Sequence, residues 1–382
     1  MKKIVALLLA LCMVACLFAA CGGGEAENPS EGGKDAPAMR VAMITDYGDI
    51  TDESFNQATY EGAKAWCEEK GVDFTYYKPT GDSTAERVAM IDKAVAEGYD
   101  VLLLPGFAFA GAIVETVEKY PDVKYVALDV SEYDLQDAHG TADDFSWAYP
   151  SNLYSAVYQE ELAGYMAGVA AVKLGYEKIG YLGGMAVPAV VRYGYGFVQG
   201  VNDAAKELGK VDAIELKYVY GNQFYGDPDI TAYMDTWYAA GTEVVFACGG
   251  GIYSSAAEAA AKVGGKVIGV DVDQAPTIDA YGAGMTVTSA MKGLAATVKT
   301  LLTKISEDKF EGGKVETLGL VSETPTDNYV QLPASTQWAD GFAEADYNAL
   351  VAALYKGEIK VSNDTENAPA VDITVDYQGN IK

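Results

Sequence analysis

From residue 40 onward, short apolar runs alternate with longer stretches whose apolar positions recur every third or fourth residue. Arg40–Thr45, Asp73–Lys78, Val101–Leu104 and Lys124–Leu128 read as strands, and Gln57–Lys70, Ser83–Glu97 and Phe109–Tyr120 as helices. The punctuation agrees: Lys70-Gly71 closes one helix, Ser83 stands where it caps the next, and Glu97-Gly98 ends it. Strands alternating with helices of this length predict βαβ units and a parallel sheet.

A polar and aromatic break at Ser131–Asn152 interrupts the rhythm, and a long helix is expected over Leu153–Lys173, with Ala163, Gly164, Ala167 and Gly168 on its packing faces. The alternation then restarts. Strands are expected at Lys178–Leu182, Ile214–Val219, Val244–Cys248, Lys266–Val270 and Met285–Ser289, and helices at Val190–Leu208, Ile230–Ala240, Ser254–Val263 and Met291–Asp308. Two similar halves predict an α/β protein of two lobes, each a mainly parallel sheet flanked by helices, with a cleft between them. The expected N-terminal lobe is 39–152 with part of 272–382, and the C-terminal lobe is 153–271, the chain crossing more than once. Lys314–Val330 and the helix Ala343–Lys356 pack against one lobe as additions.

The N-terminus carries an address. Met1-Lys2-Lys3 is basic, Ile4 to Ala20 is apolar, and Leu17-Phe-Ala-Ala-Cys21 precedes a run of glycines. This reads as a secretory signal over 1–21 with Cys21 as the lipid-attachment residue, Cys16 being a poorer match, and 22–38 as a flexible tether. No helix-turn-helix precedes the first lobe, which argues against a sugar-responsive transcription factor. Asp and Glu number 55 against 27 Lys and Arg, a net charge of −28 that repels phosphate backbones and excludes a nucleic-acid partner. The chain has a single histidine, His139, so histidine triads and His-rich zinc sites are excluded. Cys67 and Cys248 sit in apolar contexts and read as buried free thiols. Nothing calls for a cofactor or a metal.

The residues with chemistry gather at strand ends. After the first strand comes Asp46-Tyr-Gly-Asp49-Ile-Thr-Asp52-Glu-Ser54-Phe55-Asn56; after later strands come Pro105-Gly106-Phe107, Asp129, Gly183-Gly184, Cys248-Gly249-Gly250-Gly251 and Asp271-Val-Asp273-Gln274. Tyr220 to Asp227 and the pair Ser289 and Lys292 complete the set. Each has a plain reading: glycines turn, aspartates cap helices, aromatics pack. No Gly-Lys-Ser/Thr follows the three glycines, so no phosphate loop is present. What favours a ligand is that all fall on the carboxyl edge of their strands, where open α/β sheets bind. Phe55 and Phe224, one from each lobe, suit the two faces of a flat ring. Asp129, Asp271 and Lys292 suit ribose-like hydroxyls, and Asp46 and Asn56 the polar edge of a base. Gly106, Phe107 and Gly250 complete the expected ligand-binding set.

These motifs carry a resemblance. Asp46-x-Gly48-x-x-x-Asp52-x-Ser54-Phe55-Asn56, Gly106-Phe107, Leu162-Ala163-Gly164, Gly183-Gly184-x-x-x-Pro188, Gly196-Phe197-x-x-Gly200, Gly221-x-x-Phe224 and Ile268-Gly-Val-Asp271-x-Asp273-Gln274 resemble, over about 40–300, the basic membrane protein family. The resemblance implies a type I periplasmic-binding-protein-like fold and a lipid-anchored, extracytoplasmic, monomeric substrate-binding component of an ABC transporter. It implies a purine nucleoside as ligand, a permease as partner and no catalysis. In that family the Asp and Phe of the first motif contact the base, the counterpart of Phe224 stacks on its other face, and the counterparts of Asp129, Asp271 and Lys292 hold the ribose. The chain departs from the pattern around Tyr158-Gln-Glu-Glu161, at Phe145-Ser-Trp147-Ala-Tyr149, and in a Gly221–Phe224 spacing one residue longer than expected. The alternatives are a metal-dependent nucleoside hydrolase, with Asp46, Asp49 and Asp52 around Ca²⁺, and a stand-alone nutrient-sensing lipoprotein. The interleaved aspartates lack the adjacent carboxylate pair that such a calcium site wants.

Overall fold

The computed structural model describes residues 39–46 and 48–381; the expected signal, Cys21 and tether lie outside them. The first half gives β1 (Arg40–Ile44), α1 (Phe55–Lys70), β2 (Asp73–Tyr77), α2 (Thr84–Ala96), β3 (Val101–Pro105), α3 (Ala110–Thr116), β4 (Lys124–Leu128), α4 (Glu132–His139) and β5 (Leu153–Tyr158). Next come α5 (Glu160–Lys173), β6 (Lys178–Gly183), α6 (Pro188–Glu207), β7 (Glu215–Tyr220), α7 (Pro228–Ala239), β8 (Val244–Cys248) and α8 (Tyr253–Ala261). They are followed by β9 (Lys266–Asp271), α9 (Ala275–Ile278), β10 (Thr286–Lys292) and α10 (Leu294–Ser306). The remainder adds β11 (Lys314–Leu318), β12 (Val330–Gln331), α11 (Glu344–Tyr355) and β13 (Thr374–Asn380).

The strands form a six-stranded sheet, β11-β5-β4-β3-β1-β2, and a seven-stranded sheet, β12-β10-β9-β8-β6-β7-β13. Every pairing is parallel except β12 on β10. The order β5-β4-β3-β1-β2 recurs as β10-β9-β8-β6-β7, so the α/β class and its repetition follow the periodicity. All residues of β3 and of β8 are buried, as the continuous apolar runs of a doubly covered parallel sheet require.

One expected boundary moves. Leu153–Tyr158, read as the start of a long helix and of the second lobe, is strand β5 of the first sheet, and α5 begins only at Glu160. The cause is that α5 is buried on nearly every side, so it has no polar face to mark where helical periodicity begins. The chain therefore leaves the first sheet after Tyr158, not at 152/153. Within the polar break, α4 opens with a capping box between Ser131 and Asp134. Lys292, expected at a helix start, ends β10 instead.

The chain passes between the lobes at Gln159, at Gly293 and again between β11 and β12. Backbone bonds stitch the crossings together: Gln159 N to Leu318 O at 2.9 Å, Gly293 N to Tyr329 O at 2.7 Å and Tyr329 N to Gly319 O at 3.0 Å. After its crossing α10 packs on α1, where Trp66 Nε1 donates to Thr303 Oγ1 at 2.9 Å.

Helices α5 and α6 touch backbone to backbone. A Cβ at Gly164 would stand 2.0 Å from Tyr193 O, and one at Gly196 2.0 Å from Glu161 O. Gly164→Ala is therefore expected to lower stability by about 1–3 kcal/mol through overpacking. Thermal denaturation reads this as a lower Tm, and an unchanged Tm would mean that the helices part at no cost. Glu161, at the same contact, is buried with Oε2 unpartnered, and burial followed by the Glu160 charge pushes its carboxyl from 4.5 up to about 7. A carboxyl raised on folding binds more protons in the native state, so its contribution to stability falls as pH rises through that window. Glu161→Gln is expected to raise Tm relative to the parent increasingly between about pH 5 and pH 8. Parallel Tm curves from calorimetry would refute that assignment.

Candidate functional site

The loop after β1 is built by its own carboxylates. Asp52 caps α1: Oδ1 accepts from Ser54 N at 2.9 Å and Gln57 N at 3.0 Å, and Oδ2 accepts from Asn56 N at 3.0 Å. Asn56 Nδ2 donates to Asp52 Oδ2 at 3.1 Å and to Asp46 Oδ1 at 3.3 Å, which fixes the amide and leaves Oδ1 as a buried acceptor. Asp49 pairs with Lys78. Two of the aspartates considered for calcium are thus engaged in the fold. Among the described residues no group of three or more His, Cys, Asp or Glu is arranged to hold a metal ion. Gly106, at φ 120°, packs under Asp46; a Cβ there would lie 2.0 Å from Asp46 Oδ2.

Asp129 and Asp271 end the equivalent strands β4 and β9, and both take left-handed backbone angles, φ 59° and 64°. Such angles are costly for non-glycine residues and cluster at functional sites. Between them lies Lys292, whose Nζ is 2.6 Å from Asp129 Oδ2, 3.3 Å from Glu160 Oε1 and 3.9 Å from Asp271 Oδ1. Nζ also stands 4.8 Å from the centre of the Phe55 ring. Glu160 holds a second cation, accepting from Arg192 Nε at 2.6 Å. Asp271 Oδ2 accepts from Ser54 Oγ at 2.7 Å, and Oδ1 from Tyr193 OH at 3.3 Å. Burial disfavours the Lys292 ammonium, yet Asp129, Glu160 and Asp271 together hold its pKa above the ordinary value. Burial pushes the Asp129 carboxyl up to about 7 against the pull of Lys292, and the Glu160 charge adds to the rise.

Phe224 enters from the loop after β7. Gly251 N donates to Phe224 O at 2.9 Å, and a Cβ at Gly184 would lie 2.6 Å from the ring. Gly250, at φ 53°, has the same cause: a Cβ there would be 2.7 Å from Phe224 O, so this glycine admits the aromatic loop.

Every residue of the expected set, Asp46, Phe55, Asn56, Gly106, Phe107, Asp129, Phe224, Gly250, Asp271 and Lys292, lines one cavity. Its empty space is about 750 Å³ with open solvent included, in the range of small-molecule sites. Sequence reasoning missed Glu160, Arg192, Tyr193, Ser131, Asp134 and the opening residues of α6. The signal for Glu160 was present as the departure at Tyr158–Glu161; Arg192 had none, since one arginine on a helix reads as a solvated charge. Among the described residues, Asn56 Oδ1 and Asp129 Oδ1 are buried without a hydrogen-bond partner. Both belong to side chains that line the cavity. Among the described residues, no helix is long and apolar enough to cross a membrane.

The ABC transporter nucleoside-binding protein BmpA of Lactococcus lactis subsp. cremoris is 28% identical over 338 residues, 84% of this chain and 89% of that protein. Basic membrane protein B of Borrelia garinii subsp. bavariensis is 25% identical over 327 residues, 83% of this chain and 86% of that one. The fold matches an ABC transporter solute-binding protein from Conexibacter woesei with a TM-score of 0.66 at 22% identity, covering 85% of this chain and 99% of that one. An ABC transporter solute-binding protein from Aeropyrum pernix gives a TM-score of 0.64 at 22% identity, covering 86% and 88%. The family model described as ABC transporter substrate-binding protein PnrA-like matches residues 39–361. With its fold, its strand-edge cleft and a family match across nearly all of the described residues, this chain belongs to the Bmp family of ABC transporter substrate-binding proteins.

Proposed function

We propose that the chain captures a purine nucleoside between its lobes outside the cytoplasm and delivers it to an ABC permease as a monomer tethered through lipid on Cys21. The observation that carries the ligand is the pair of buried, unpartnered acceptors, Asn56 Oδ1 and Asp129 Oδ1, in one cavity with Phe55, Phe107 and Phe224. An acceptor fixed beside Asp46 meets N–H groups on a base edge. The Asp129–Lys292–Asp271 cluster offers carboxylates and an ammonium to a diol, and the rings offer faces to a flat heterocycle. Charge-assisted hydrogen bonds are worth about 1.5–3 kcal/mol each, so a handful gives micromolar to nanomolar binding after entropic costs. The Lactococcus relative, named as nucleoside-binding, supports the same reading.

Mass spectrometry of the small molecules that co-purify with the protein is expected to find a purine nucleoside. Calorimetry with adenosine, guanosine and inosine is expected to give micromolar or tighter binding to at least one. No heat and no thermal stabilisation with any of them would sink the reading, and release of free base in the presence of Ca²⁺ would make the protein an enzyme. Asp271→Ala is expected to weaken binding about a hundredfold or more, two charge-assisted bonds' worth, while the protein stays folded. Retained affinity would mean that the diol lies elsewhere.

A further inference from the structure

We infer that Arg192 contacts the ligand, held by Glu160 so that its terminal guanidinium nitrogens donate to an uncharged oxygen; on the nucleoside reading, on which this rests, that oxygen is the 5′-hydroxyl.

Arg192 stands near the start of α6, whose opening residues Val187 to Val190 line the same cavity. The fold uses only one of its donors: among the described residues its sole hydrogen bond runs from Nε to Glu160 Oε2 at 2.6 Å. Glu160 is fully buried, with a side-chain exposure of 0% against 15% for Arg192. The carboxylate thus anchors one edge of the guanidinium, and the remaining nitrogens are left on a cavity-lining side chain. A buried carboxylate that served only as a counter-ion to Lys292 would need no second cation; this one fixes the direction of a planar fork. The N-terminus of α6 lines the same cavity, and there Val187 makes no side-chain capping bond and Pro188 supplies no N–H.

The ligand group that fits is an oxygen that accepts and also donates. Arg192 offers donors only, whereas Asp129, whose charge acts on Arg192, keeps Oδ1 buried and unpartnered. A hydroxyl satisfies both. A phosphate monoester does not, because Asp129, Asp134 and Asp271 outnumber Arg192 and Lys292 along the cavity wall, with the buried Glu160 carboxylate behind both cations, and repel a further anion. With the base edge given to Asp46 and Asn56 and the diol to Asp271, Lys292 and the Lys292-bonded Oδ2 of Asp129, the 5′-hydroxyl is the oxygen left for Arg192 and for Asp129 Oδ1.

The test is calorimetry on the parent protein, Arg192→Met and Arg192→Lys with adenosine and inosine, each beside its 5′-deoxy analogue, and with adenosine 5′-monophosphate. Arg192→Lys is included because it keeps a cation beside Glu160 where Arg192→Met removes it; thermal unfolding of each variant checks that it is folded. The parent is expected to bind each nucleoside about tenfold more tightly than its 5′-deoxy form, a difference of about 1.4 kcal/mol. Both variants are expected to bind the two forms alike, at the 5′-deoxy level, and the monophosphate is expected to bind more weakly than 5′-deoxyadenosine. A parent that binds both forms equally, variants that weaken both by one factor, or a monophosphate that binds as well as adenosine would each overturn the inference and leave nucleoside binding standing. Failure of the parent to bind any nucleoside would overturn both readings.

Discussion

A single buried ammonium organises the centre of this molecule. The Lys292 side chain is 2% exposed, and an ion so placed costs several kcal/mol unless its charge is met. Asp129 meets it from the end of β4, Glu160 from the start of α5 and Asp271 from the end of β9. These come from both sheets and from the connection between them. The cluster therefore forms only when the two lobes and the crossing at Gln159 are all in place. Lys292 itself precedes Gly293, where the chain crosses back. The buried ion cluster and two of the crossings between the lobes are thus adjacent in the chain, Glu160 beside Gln159 and Lys292 beside Gly293.

The duplication of topology explains why the acids are where they are. β4 and β9 hold the same place in their sheets, and an aspartate with a left-handed backbone angle follows the first and closes the second, Asp129 at φ 59° and Asp271 at φ 64°. Such a conformation costs of order 1 kcal/mol or more in a non-glycine residue, and it survives where the surroundings over-determine it. Here they do. Asp271 is bonded to Ser54 and Tyr193, and Asp129 to Lys292, so each kink is held by its side chain. Repetition of the fold presents two carboxylates face to face across the cleft, and the cation between them makes that arrangement stable.

Much of this is legible in the sequence. In a parallel sheet the carboxyl ends of all strands lie on one edge, so once strands were placed, the residues following them had to gather, and Asp46, Gly106, Asp129, Gly250 and Asp271 did so. Which part of a ligand each one suits is suggested by residue type and implied again by the resemblance, whereas spacing alone leaves capping and packing equally open. The failure at Leu153–Tyr158 had one cause with two effects. A helix buried all round gives no periodic signal, so β5 was absorbed into α5. Glu160 was then a mid-helix residue in the reading and could not be seen as the residue that opens α5 at the crossing. Arg192 was hidden for a different reason: its partner is distant in sequence, 32 residues away, and only folding brings the pair together.

The inventory of committed and open atoms also bears on what the cluster does. Asp49 is tied to Lys78, Asp52 spends its oxygens on the first amides of α1, and both oxygens of Asp271 accept bonds from hydroxyls. Among the described residues that line the cavity, the buried acceptors without a partner are an amide oxygen, Asn56 Oδ1, and the second oxygen of a carboxylate already bonded to an ammonium, Asp129 Oδ1. Both are held in place by other polar groups before a ligand arrives. Groups fixed in this way lose little freedom on binding, which supports the proposed capture of a neutral, hydroxyl-bearing molecule. The acid-rich stretch after β1 accordingly forms one wall of the cavity, where its aspartates build the loop and orient Asn56.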